Sequence, residues 1–569
     1  MHNKTWLVSI ALASSFFGIF TQTSYAFTNL DAGANGQNTT NPAYDDASTG
    51  YNFTAPNVDF TIIGSSTTPF VVSTDAGRSI DNTANNAGDN LFTTGLVQFN
   101  GTIGASNAIA GLNVMGGVAT LFGDVLNQTP INLYSSTIQL LNNVNLTGPV
   151  DSLSSTYFPS GTIVFINLFG GAATSTLSGN IGATNPLAYI VTVPIAGTQQ
   201  VIFQTNTTIN VATIQAGFGG IALFPTTFDL RDNTVVNGNF VSDTDNNNSI
   251  ILNQTQINGN IGAQGKRFAT LIMNPNKTAN IDGDIFATNT IINQNGILNL
   301  AGNNSFFGTV NSAGALPATL TFEGNTAVNF DIGGTNPLST VNFSGPLGSV
   351  ATLNAFVYAN AVNVNGGGTL LVMPSEFGFT LGGDLTISNG STLHLQPSAV
   401  IETTNDFILT GAGNTLAVDL GGSRYVFGGV FADNQAVLDN NATIEILNPG
   451  FSPVRTDATA LIVSGLPMAA VPQLVTNSLL TSVDAALINA GTRLELYIQS
   501  LPVHTYAKQS NTIGVATALD EIASGTSIYP IGPATGTLQN ILDQLGIFTD
   551  EDSLNNALAT LSPIVEGGI

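Results

Sequence analysis

The chain has 569 residues and few charges, with 10 Lys and Arg against 35 Asp and Glu and a formal net charge of −25. This balance argues against nucleic acids and anionic membrane surfaces as partners, because binding to either depends on clustered Lys and Arg. A hydrophobic content of 43% argues against intrinsic disorder, and the absence of cysteine means that no disulfide contributes to the fold.

The N-terminal residues have the layout of a secretory signal peptide. His2 and Lys4 open a short polar start, an apolar run extends from Trp6 to Phe20, and Ser24-Tyr25-Ala26 provides a small-x-small cleavage pattern. The run of about fifteen residues is shorter than the roughly 20 that a bilayer span requires. We therefore predict cleavage after Ala26, export from the cytoplasm, and no transmembrane helix in the mature chain.

Residues 27–500 are predicted to form many short β-strands separated by turns. Gly, Asn and Thr are abundant there, whereas Lys, Arg and Glu are scarce. Apolar and polar residues alternate in several runs, which places the apolar side chains on one face of a strand; examples are 319–323, 392–396, 442–446 and 493–498. Pairs of Asn and Gly predict turns between the strands, at 100–101, 179–180, 237–238, 258–259, 324–325 and 389–390.

Four copies of an internal repeat lie in this region. They share an Ile-Gly pair and are, in chain order, NGTIGASNAIA (100–110), SGNIGATNPLA (178–188), NGNIGA (258–263, continuing as QGKRFA) and DIGGTNPL (331–338). The glycine of the pair recurs at intervals of 78, 80 and 71 residues, at Gly104, Gly182, Gly262 and Gly333. A second element of four residues has Gly, Asp and an aliphatic residue at its last three positions. It occurs at 122–125, 282–285 and 382–385.

A period of 71 to 80 residues is too long for one solenoid coil and fits a group of several coils. We predict an all-β fold, a right-handed parallel β-helix (solenoid). Val, Ile, Leu and Phe would stack inside it, Asn and Thr would form ladders, and glycines would occupy corners with positive φ. A tandem array of β-sandwiches is the alternative, and its repeats would fall at about 90–110 residues with separate cores.

Residues 501–569 have a different character. The segment 511–522 (NTIGVATALDEI) has helical spacing of apolar residues, and a second helix is expected from about Thr549. There the run 549–552 (TDED) supplies a capping-box pattern and an acidic first turn, and Pro563 ends the helix. The apolar stripe of this helix is predicted to consist of Leu554, Ala557, Leu558 and Leu561.

Residue types that often carry chemistry do not form a recognisable site. Histidine is limited to His2, His394 and His504, His394 lies on the polar, solvent-facing side of an alternating strand, and no serine-hydrolase motif is present. The run 243–248 (DTDNNN) begins like a calcium loop but has Asn248 where Gly is required and Gln254 where Glu is required. We therefore predict a polar turn there, a solvated loop at 45–46 (two Asp), and no catalytic, cofactor-binding or metal-binding residues.

The best enzymatic alternative is a secreted β-helix enzyme that degrades polysaccharides. Such enzymes use acidic clusters together with an Arg or Lys base on one sheet face. The basic residues of the central region do not lie in an obvious acidic constellation: Arg78, Arg231, Lys266, Arg267, Lys277, Arg424 and Arg455. The sequence therefore favours a protein that is not an enzyme.

The export signal, the Gly/Asn-rich β-repeats and the late helical segment together resemble a type V autotransporter. The stretches NTIGVATALDEI and LNNALATLSPIVEGG are similar to the junction at which a passenger enters its translocator. The copies NGTIGASNAIA and SGNIGATNPLA, with GGVATLFGDV downstream of the first, resemble repeats of the rickettsial cell-surface-antigen autotransporters. The resemblance covers nearly the whole mature chain and implies a signal peptide at 1–26, a solenoid passenger at 27–500 and a helical junction at 501–569.

The same resemblance implies an exported, non-enzymatic adhesin or surface antigen at the outer membrane or cell surface, or secreted from it. Its expected partners are a receptor on a host cell or another surface and an outer-membrane translocator barrel. Autotransporters of this family continue into that barrel, whereas this sequence ends at Ile569. A separately encoded barrel and a non-functional fragment of a split gene are both compatible with that end.

Overall fold

The computed structural model describes residues 90–561 apart from 105–110, 128–129, 153–159, 169, 219–223, 315–316, 376–377, 421–427, 449–455 and 525–536, and also five short strands between residues 43 and 82. The predicted signal peptide lies outside the described residues. The described chain is all-β, with a few short helices near the C-terminal end. It divides into two compact units, Met1–Leu298 and Asn299–Ile569.

The strands of the first unit are β1 (Ala43–Asp46), β2 (Tyr51–Phe53), β3 (Asp59–Ile63), β4 (Phe70–Thr74), β5 (Ser79–Asn82), β6 (Asn90–Phe99), β7 (Thr102–Ile103), β8 (Gly111–Leu121), β9 (Val125–Leu126), β10 (Ile131–Tyr134), β11 (Thr137–Leu141), β12 (Leu146–Thr147), β13 (Val150–Ser152), β14 (Thr162–Asn167), β15 (Ala173–Ser178), β16 (Leu187–Pro194), β17 (Gln199–Phe203), β18 (Thr208–Ala216), β19 (Thr226–Leu230), β20 (Thr234–Ser242), β21 (Ser249–Leu252), β22 (Thr255–Asn258), β23 (Phe268–Met273), β24 (Thr278–Asp282) and β25 (Ile285–Ile292). The unit boundary falls within β26 (Gly296–Leu300).

The strands of the second unit are β27 (Ser305–Ser312), β28 (Ala318–Phe322), β29 (Thr326–Val328), β30 (Leu338–Phe343), β31 (Val350–Leu353), β32 (Val357–Val364), β33 (Thr369–Val372), β34 (Phe379–Ile387), β35 (Thr392–Leu395), β36 (Val400–Thr403), β37 (Phe407–Leu409), β38 (Thr415–Asp419), β39 (Gly429–Leu438), β40 (Thr443–Leu447), β41 (Thr456–Leu466), β42 (Gln473–Thr476), β43 (Thr481–Ile488) and β44 (Arg493–Ser500). Three helices follow, α1 (Ser510–Ala523), α2 (Thr537–Gly546) and α3 (Glu551–Leu561).

Parallel pairing links most strands to a strand two positions later in the chain. In the first unit β17 pairs with β19, β19 with β21 and β21 with β23, while β18 pairs with β20 and β20 with β22. In-register neighbours are one coil apart, 27 residues from Asn210 to Asn237 and 21 residues from Asn237 to Asn258. The predicted class, a parallel β-solenoid, is confirmed, and the repeat of 71 to 80 residues spans about three such coils. Its handedness stays a prediction.

The solenoid interior consists of rows of apolar side chains, one from each coil. One row of the first unit is no more than 1% exposed and runs through Leu177, Phe203, Leu230, Leu252, Met273 and Ile292. In the neighbouring interior, the rings of Phe203 and Phe240 both lie against that of Phe228, with centroids 6.3 and 5.6 Å away. Each such burial contributes about 1.5–3 kcal/mol, so these rows supply the main stabilisation of the unit.

The second unit also has rows of buried apolar side chains. These rows explain the alternating runs in the sequence. Three of the runs fall in β28, β35 and β40, as predicted. Their apolar residues enter rows whose members are fully buried, for example Leu353, Val372, Leu395, Val418 and Ile446. Period-two alternation therefore identified the inward face correctly, because successive side chains of a strand point to opposite sides.

Asparagines form the ladders predicted for a stacked parallel sheet, whereas the prediction of a turn at 237–238 is wrong, because this pair lies within β20. Asn237 donates its side-chain amide to Asn210, and Asn258 donates to Asn237, each at 2.6 Å. The four repeat glycines have positive φ values of 76°, 65°, 76° and 71°, at Gly104, Gly182, Gly262 and Gly333. Among the described positive-φ residues that are not glycine, most are asparagines, which tolerate this conformation better than other residues with side chains.

Residues 45–46 were predicted to form a loop, and this prediction is wrong. They are the last two residues of β1, where Asp45 and Asp46 are in register with Ser73 and Thr74 of β4. Aspartate has a low strand propensity, but propensity is weak compared with the main-chain pairing that a neighbouring coil provides.

The last strands do not continue the parallel pattern, which the sequence interpretation had extended to residue 500. β43 and β44 form an antiparallel hairpin, and β44 also pairs antiparallel with β41. The run 493–498 is therefore a strand, as predicted, but it lies against the end of the parallel stack. The antiparallel strand β44 occupies the hydrogen-bonding edge of β41. A further parallel coil therefore cannot pair with β41.

The helices form a small apolar cluster with the segments next to β43 and β44. Its buried members are Leu480, Val503, Ala516, Leu519, Leu542, Leu545, Leu554 and Leu558. α1 and α3 match the two predicted helices, whereas α2 was not predicted. Leu561 was assigned to the apolar stripe but is 41% exposed, because α3 ends there, beyond the contact made by Leu558.

The start of α3 differs from the predicted capping box. The carboxylate of Asp550 accepts the main-chain N–H of Ser553 at 2.8 Å, so Asp550 is the capping residue and the pair Thr549 and Asp552 is not used. The same hydrogen bond holds the pKa of Asp550 below its ordinary value. The acidic first turn, Glu551 and Asp552, is present as predicted and contacts Lys508.

Candidate functional surface

The corners between faces of the solenoid are built by Asp and Asn residues that each precede a buried apolar residue. Their side-chain oxygens accept the main-chain N–H of the equivalent residue in the next coil, at 2.7–3.2 Å. The eight acceptors are Asp124, Asn145, Asn180, Asn239, Asn260, Asp331, Asp384 and Asp406. We call these residues the Asx corners.

The Asx corners explain the second sequence element. Asp124, Asp284 and Asp384 of that element each precede a buried aliphatic residue at a coil corner. Asp124 and Asp384 accept a main-chain N–H from the next coil, and Asp284 donates its own N–H to Asn260. The carboxylates of Asp124 and Asp384 and the main-chain N–H of Asp284 thus make coil-to-coil hydrogen bonds, a structural role that the sequence interpretation had not assigned to this element.

Two copies of the repeat, one in each unit, form the same protruding loop. The loops are 182–186 (GATNP) and 333–337 (GGTNP), and each follows a buried Ile and precedes a buried Leu. In each loop the first glycine donates its N–H to a carbonyl of the preceding coil, at 2.7 Å for Gly182 and 2.6 Å for Gly333. In each, the threonine N–H is held at 3.0 Å, Thr184 by Asp151 and Thr335 by Asn311.

The tips of these two loops are the exposed part of the repeat. Thr184 and Thr335 are exposed, whereas Leu187 and Leu338 at the ends of the loops are fully buried. The neighbouring coil passes the same place without an insertion, since Ile181 pairs with Ile209 and Leu187 with Val211, only two residues later. The loops are therefore insertions at a corner and project from the surface.

The third repeat copy diverges in sequence, and its residues form ion pairs with the preceding coil. Its Lys266 and Arg267 lie over the turn 243–248 of the preceding coil. Arg267 donates two side-chain N–H groups to the carboxylate of Asp245, at 3.1 and 2.9 Å, and Lys266 lies 3.6 Å from Asp243. The turn that begins like a calcium loop is thus held by cationic side chains, and the predicted polar turn agrees with this geometry.

A second pair of ion contacts lies at the turn that follows β19. Arg231 is 2.8 Å from Asp229, and Lys277 is 2.6 Å from Asp232. Burial raises the pKa of Asp229, with the Arg231 guanidinium and the Asn253 and Gln200 amides opposing it. The hydrogen bond from Lys277 instead lowers the pKa of the exposed Asp232. All four described basic residues between 231 and 277 are therefore paired with aspartates, while Arg78, Arg424 and Arg455 lie outside the described side chains.

Replacement of Asp229 by asparagine is expected to remove the loss of stability that ionisation of this buried carboxyl causes as pH rises. A carboxyl whose pKa is raised by folding binds its proton more readily when folded, so stability is lost as pH rises through that pKa. The difference in unfolding free energy, Asp229→Asn minus the unsubstituted chain, should increase from about pH 3 to about pH 7. Urea titrations followed by circular dichroism measure it. An Asp232→Asn control should give the opposite trend, and a flat Asp229→Asn difference would contradict the assignment.

His394 points outward from β35, as predicted, but it is not freely solvated. Leu393 and Leu395 on either side of it are fully buried, and the imidazole is half-buried in register with Ala417. Burial lowers the pKa of His394, against the opposing influence of Asp419 and Glu445. Its Nε2 has no hydrogen-bond partner among the described residues. The side chain therefore packs as a neutral ring, which alternation alone could not foretell.

His504 has a structural partner that the sequence did not indicate. Its Nδ1 is 2.7 Å from Asp520 of α1, and the same carboxylate accepts the main-chain N–H groups of Val503 and His504 at 2.8 and 3.0 Å. Asp520 thus fixes the turn that leads from β44 to α1. The described residues contain no group of three or more His, Asp or Glu that could hold a metal ion. Within the described part of the chain, no helix is both long and apolar enough to cross a membrane.

The described chain is a repetitive parallel β-solenoid with loops that project at its corners. The chain is similar to outer membrane protein A of Rickettsia rickettsii, with 26% identity over 521 residues, which cover 85% of this chain and 21% of that protein. It is also similar to outer membrane protein A of Rickettsia conorii, with 36% identity over 137 residues, 24% of this chain and 6% of that protein. No protein-family model and no solved structure matches the chain.

These matches agree with the resemblance drawn from the repeats and the helical segment. The chain resembles an autotransporter passenger of the rickettsial outer-membrane-antigen type, and its location is the outer membrane or cell surface. The chain spans about a fifth of the length of the relative that it matches over most of its own sequence.

Proposed function

We propose that the chain is a non-enzymatic adhesin or surface antigen whose solenoid presents loops at its corners outside the outer membrane. The observation that carries the proposal is the pair of equivalent loops 182–186 and 333–337, which are held by the same hydrogen bonds and have exposed tips. A scaffold that repeats one projecting loop suits contact with a partner surface. The similarity to rickettsial outer membrane protein A supports such a surface role.

The proposal has three further parts. Residues 1–26 direct export and are removed, residues 27–500 form the passenger, and residues 501–569 join it to an outer-membrane translocator barrel. The proposed binding partner of the passenger is a receptor on a host cell or on another surface. Support for a non-enzymatic role comes from the use of the described central cations in structural ion pairs.

Surface presentation of the loops can be tested with single cysteines, because the chain has none of its own. Thr184→Cys and Thr335→Cys are expected to react on intact producing cells with a maleimide that does not cross membranes. The matched control is Leu187→Cys, at the buried end of the same loop, which should react only after unfolding. Mass spectrometry of the recovered chain measures the labelled fraction.

A second readout tests adhesion itself. Beads coated with the full chain should bind host-type cells more than beads coated with the same chain after thermal unfolding. Failure of both threonine positions to label on intact cells, with labelling after lysis, would contradict surface presentation. If the threonine positions are labelled but the two kinds of beads bind cells equally, the adhesin proposal would be refuted. The proposal of a surface antigen would then remain.

A further inference from the structure

The described residues contain six Asn-Gly pairs, which are the dipeptides most prone to spontaneous loss of the side-chain amide. In this reaction the main-chain nitrogen of the glycine attacks the side-chain Cγ of the asparagine. The new C–N bond closes a succinimide ring, and ammonia leaves with the proton that the glycine nitrogen gives up. The pairs begin at Asn100, Asn237, Asn258, Asn295, Asn365 and Asn389.

Two of these pairs are restrained within the asparagine ladder. The side-chain amide of Asn237 donates to Asn210 and its oxygen accepts from Asn258, each at 2.6 Å. The oxygen of Asn258 also accepts from Gln256 at 3.0 Å. Both residues are in register with neighbouring strands, so neither side chain is free to rotate toward the following glycine.

Three further pairs have one or both reacting groups engaged. Asn295 donates to Asn276 at 2.8 Å, and the N–H of Gly296 donates to the carbonyl of Asn293 at 2.8 Å. The N–H of Gly390, after Asn389, donates to the side chain of Asn414 at 2.8 Å. The oxygen of Asn100 accepts from Gln98 at 2.7 Å.

Asn365 differs from all of them. Its side chain makes no hydrogen bond with any described residue, and neither does the N–H of Gly366, the nitrogen that would attack. Gly366 is exposed to water and begins a run of three glycines, of which the first two have φ values of 93° and 92°. Both reacting groups are therefore free at the same place.

We propose that Asn365 is a site of spontaneous deamidation in the folded protein. Attack by the Gly366 nitrogen on Cγ of Asn365 expels ammonia, and water then opens the succinimide at one of its two carbonyls. The products are aspartate, or isoaspartate in which the main chain passes through the former side chain. No oxidant, reductant or enzyme is required. Each event adds one negative charge to the turn between β32 and β33.

The test is incubation of the full folded chain in mildly alkaline buffer at physiological temperature, followed by digestion and mass spectrometry that separates aspartate from isoaspartate. Asn365 is expected to convert at least about tenfold faster than Asn237 and Asn258, since attack there breaks no hydrogen bond. The Asn365→Ser variant should lose the product that forms fastest among the six described pairs and leave the slower sites unchanged.

A denatured sample provides the structural control. In strong denaturant all six sites have the same Asn-Gly sequence and none has ladder hydrogen bonds. Their deamidation rates should therefore converge. Convergence together with fast conversion of Asn365 in the folded chain supports the proposal. Equal rates at Asn365 and Asn258 in the folded chain, or conversion at Asn389 ahead of Asn365, would overturn it.

Discussion

Replacement of Phe228 by alanine is expected to lower the free energy of unfolding by about 3–5 kcal/mol. The ring is fully buried between those of Phe203 and Phe240, with centroids 6.3 and 5.6 Å away. Its removal loses the transfer free energy of the ring and leaves a cavity that three stacked coils cannot fill, because their main chains are fixed by ladder hydrogen bonds on both sides.

Urea denaturation followed by circular dichroism measures this effect, since the single tryptophan, Trp6, lies in the predicted signal peptide and reports nothing on the core. The matched control is Phe224→Ala in the same coil, where the ring is 37% exposed. That variant should change the free energy by no more than about 0.5 kcal/mol. Similar losses for the two variants would argue against a core stabilised by stacked rings.

Gly182→Ala is expected to destabilise the first unit by about 2–4 kcal/mol, the sum of two effects. Gly182 has a φ of 65°, where a residue with a Cβ is strained by about 1–2 kcal/mol. A Cβ there would also collide with the carbonyl oxygen of Asn210 and lie 3.0 Å from Cα of Pro186, so the neighbouring coil must shift. Urea denaturation of the purified variant measures the loss.

Gly265→Ala separates the two effects. Gly265 has a φ of 73°, close to that of Gly182, but a Cβ added there meets no atom within 4 Å. This variant should show only the conformational strain, about 1–2 kcal/mol. If the two alanine variants were equally stable, close packing of the coils at the repeat glycine would not explain why glycine stands there.

The sequence predicted the interior better than the surface, and the reason is physical. Alternation fixes which side of a strand faces inward, so Leu393 and Leu395 could be assigned to the core from the sequence alone. It cannot show what lies across the outer face, and the burial of His394 beside Ala417 depends on residues one coil away. The same limit applies to Asp229, whose pKa is raised by burial within the stacked coils, which alternation along one strand does not show.

The repeats illustrate the same limit. Their period, their positive-φ glycines and the divergence of the third copy followed from the sequence, but the projection of the loops 182–186 and 333–337 required the strand register. The ionic role of Lys266 and Arg267 needed the partner turn 243–248, which precedes them by one coil. The helix α2 was missed because it is only ten residues long, which gives a short apolar pattern.

The Asx corners have a consequence for how such a chain changes length over evolutionary time. At each of them one coil offers a side-chain oxygen and the next coil offers a main-chain N–H, so every such junction joins the same two complementary groups. Duplication or loss of one complete coil therefore joins surfaces that already match. It changes the stack by one strand spacing, about 4.8 Å, and creates no unpaired polar group at the new junction. A gene that encodes such coils can lengthen or shorten its product by recombination between coils and still encode a folded protein.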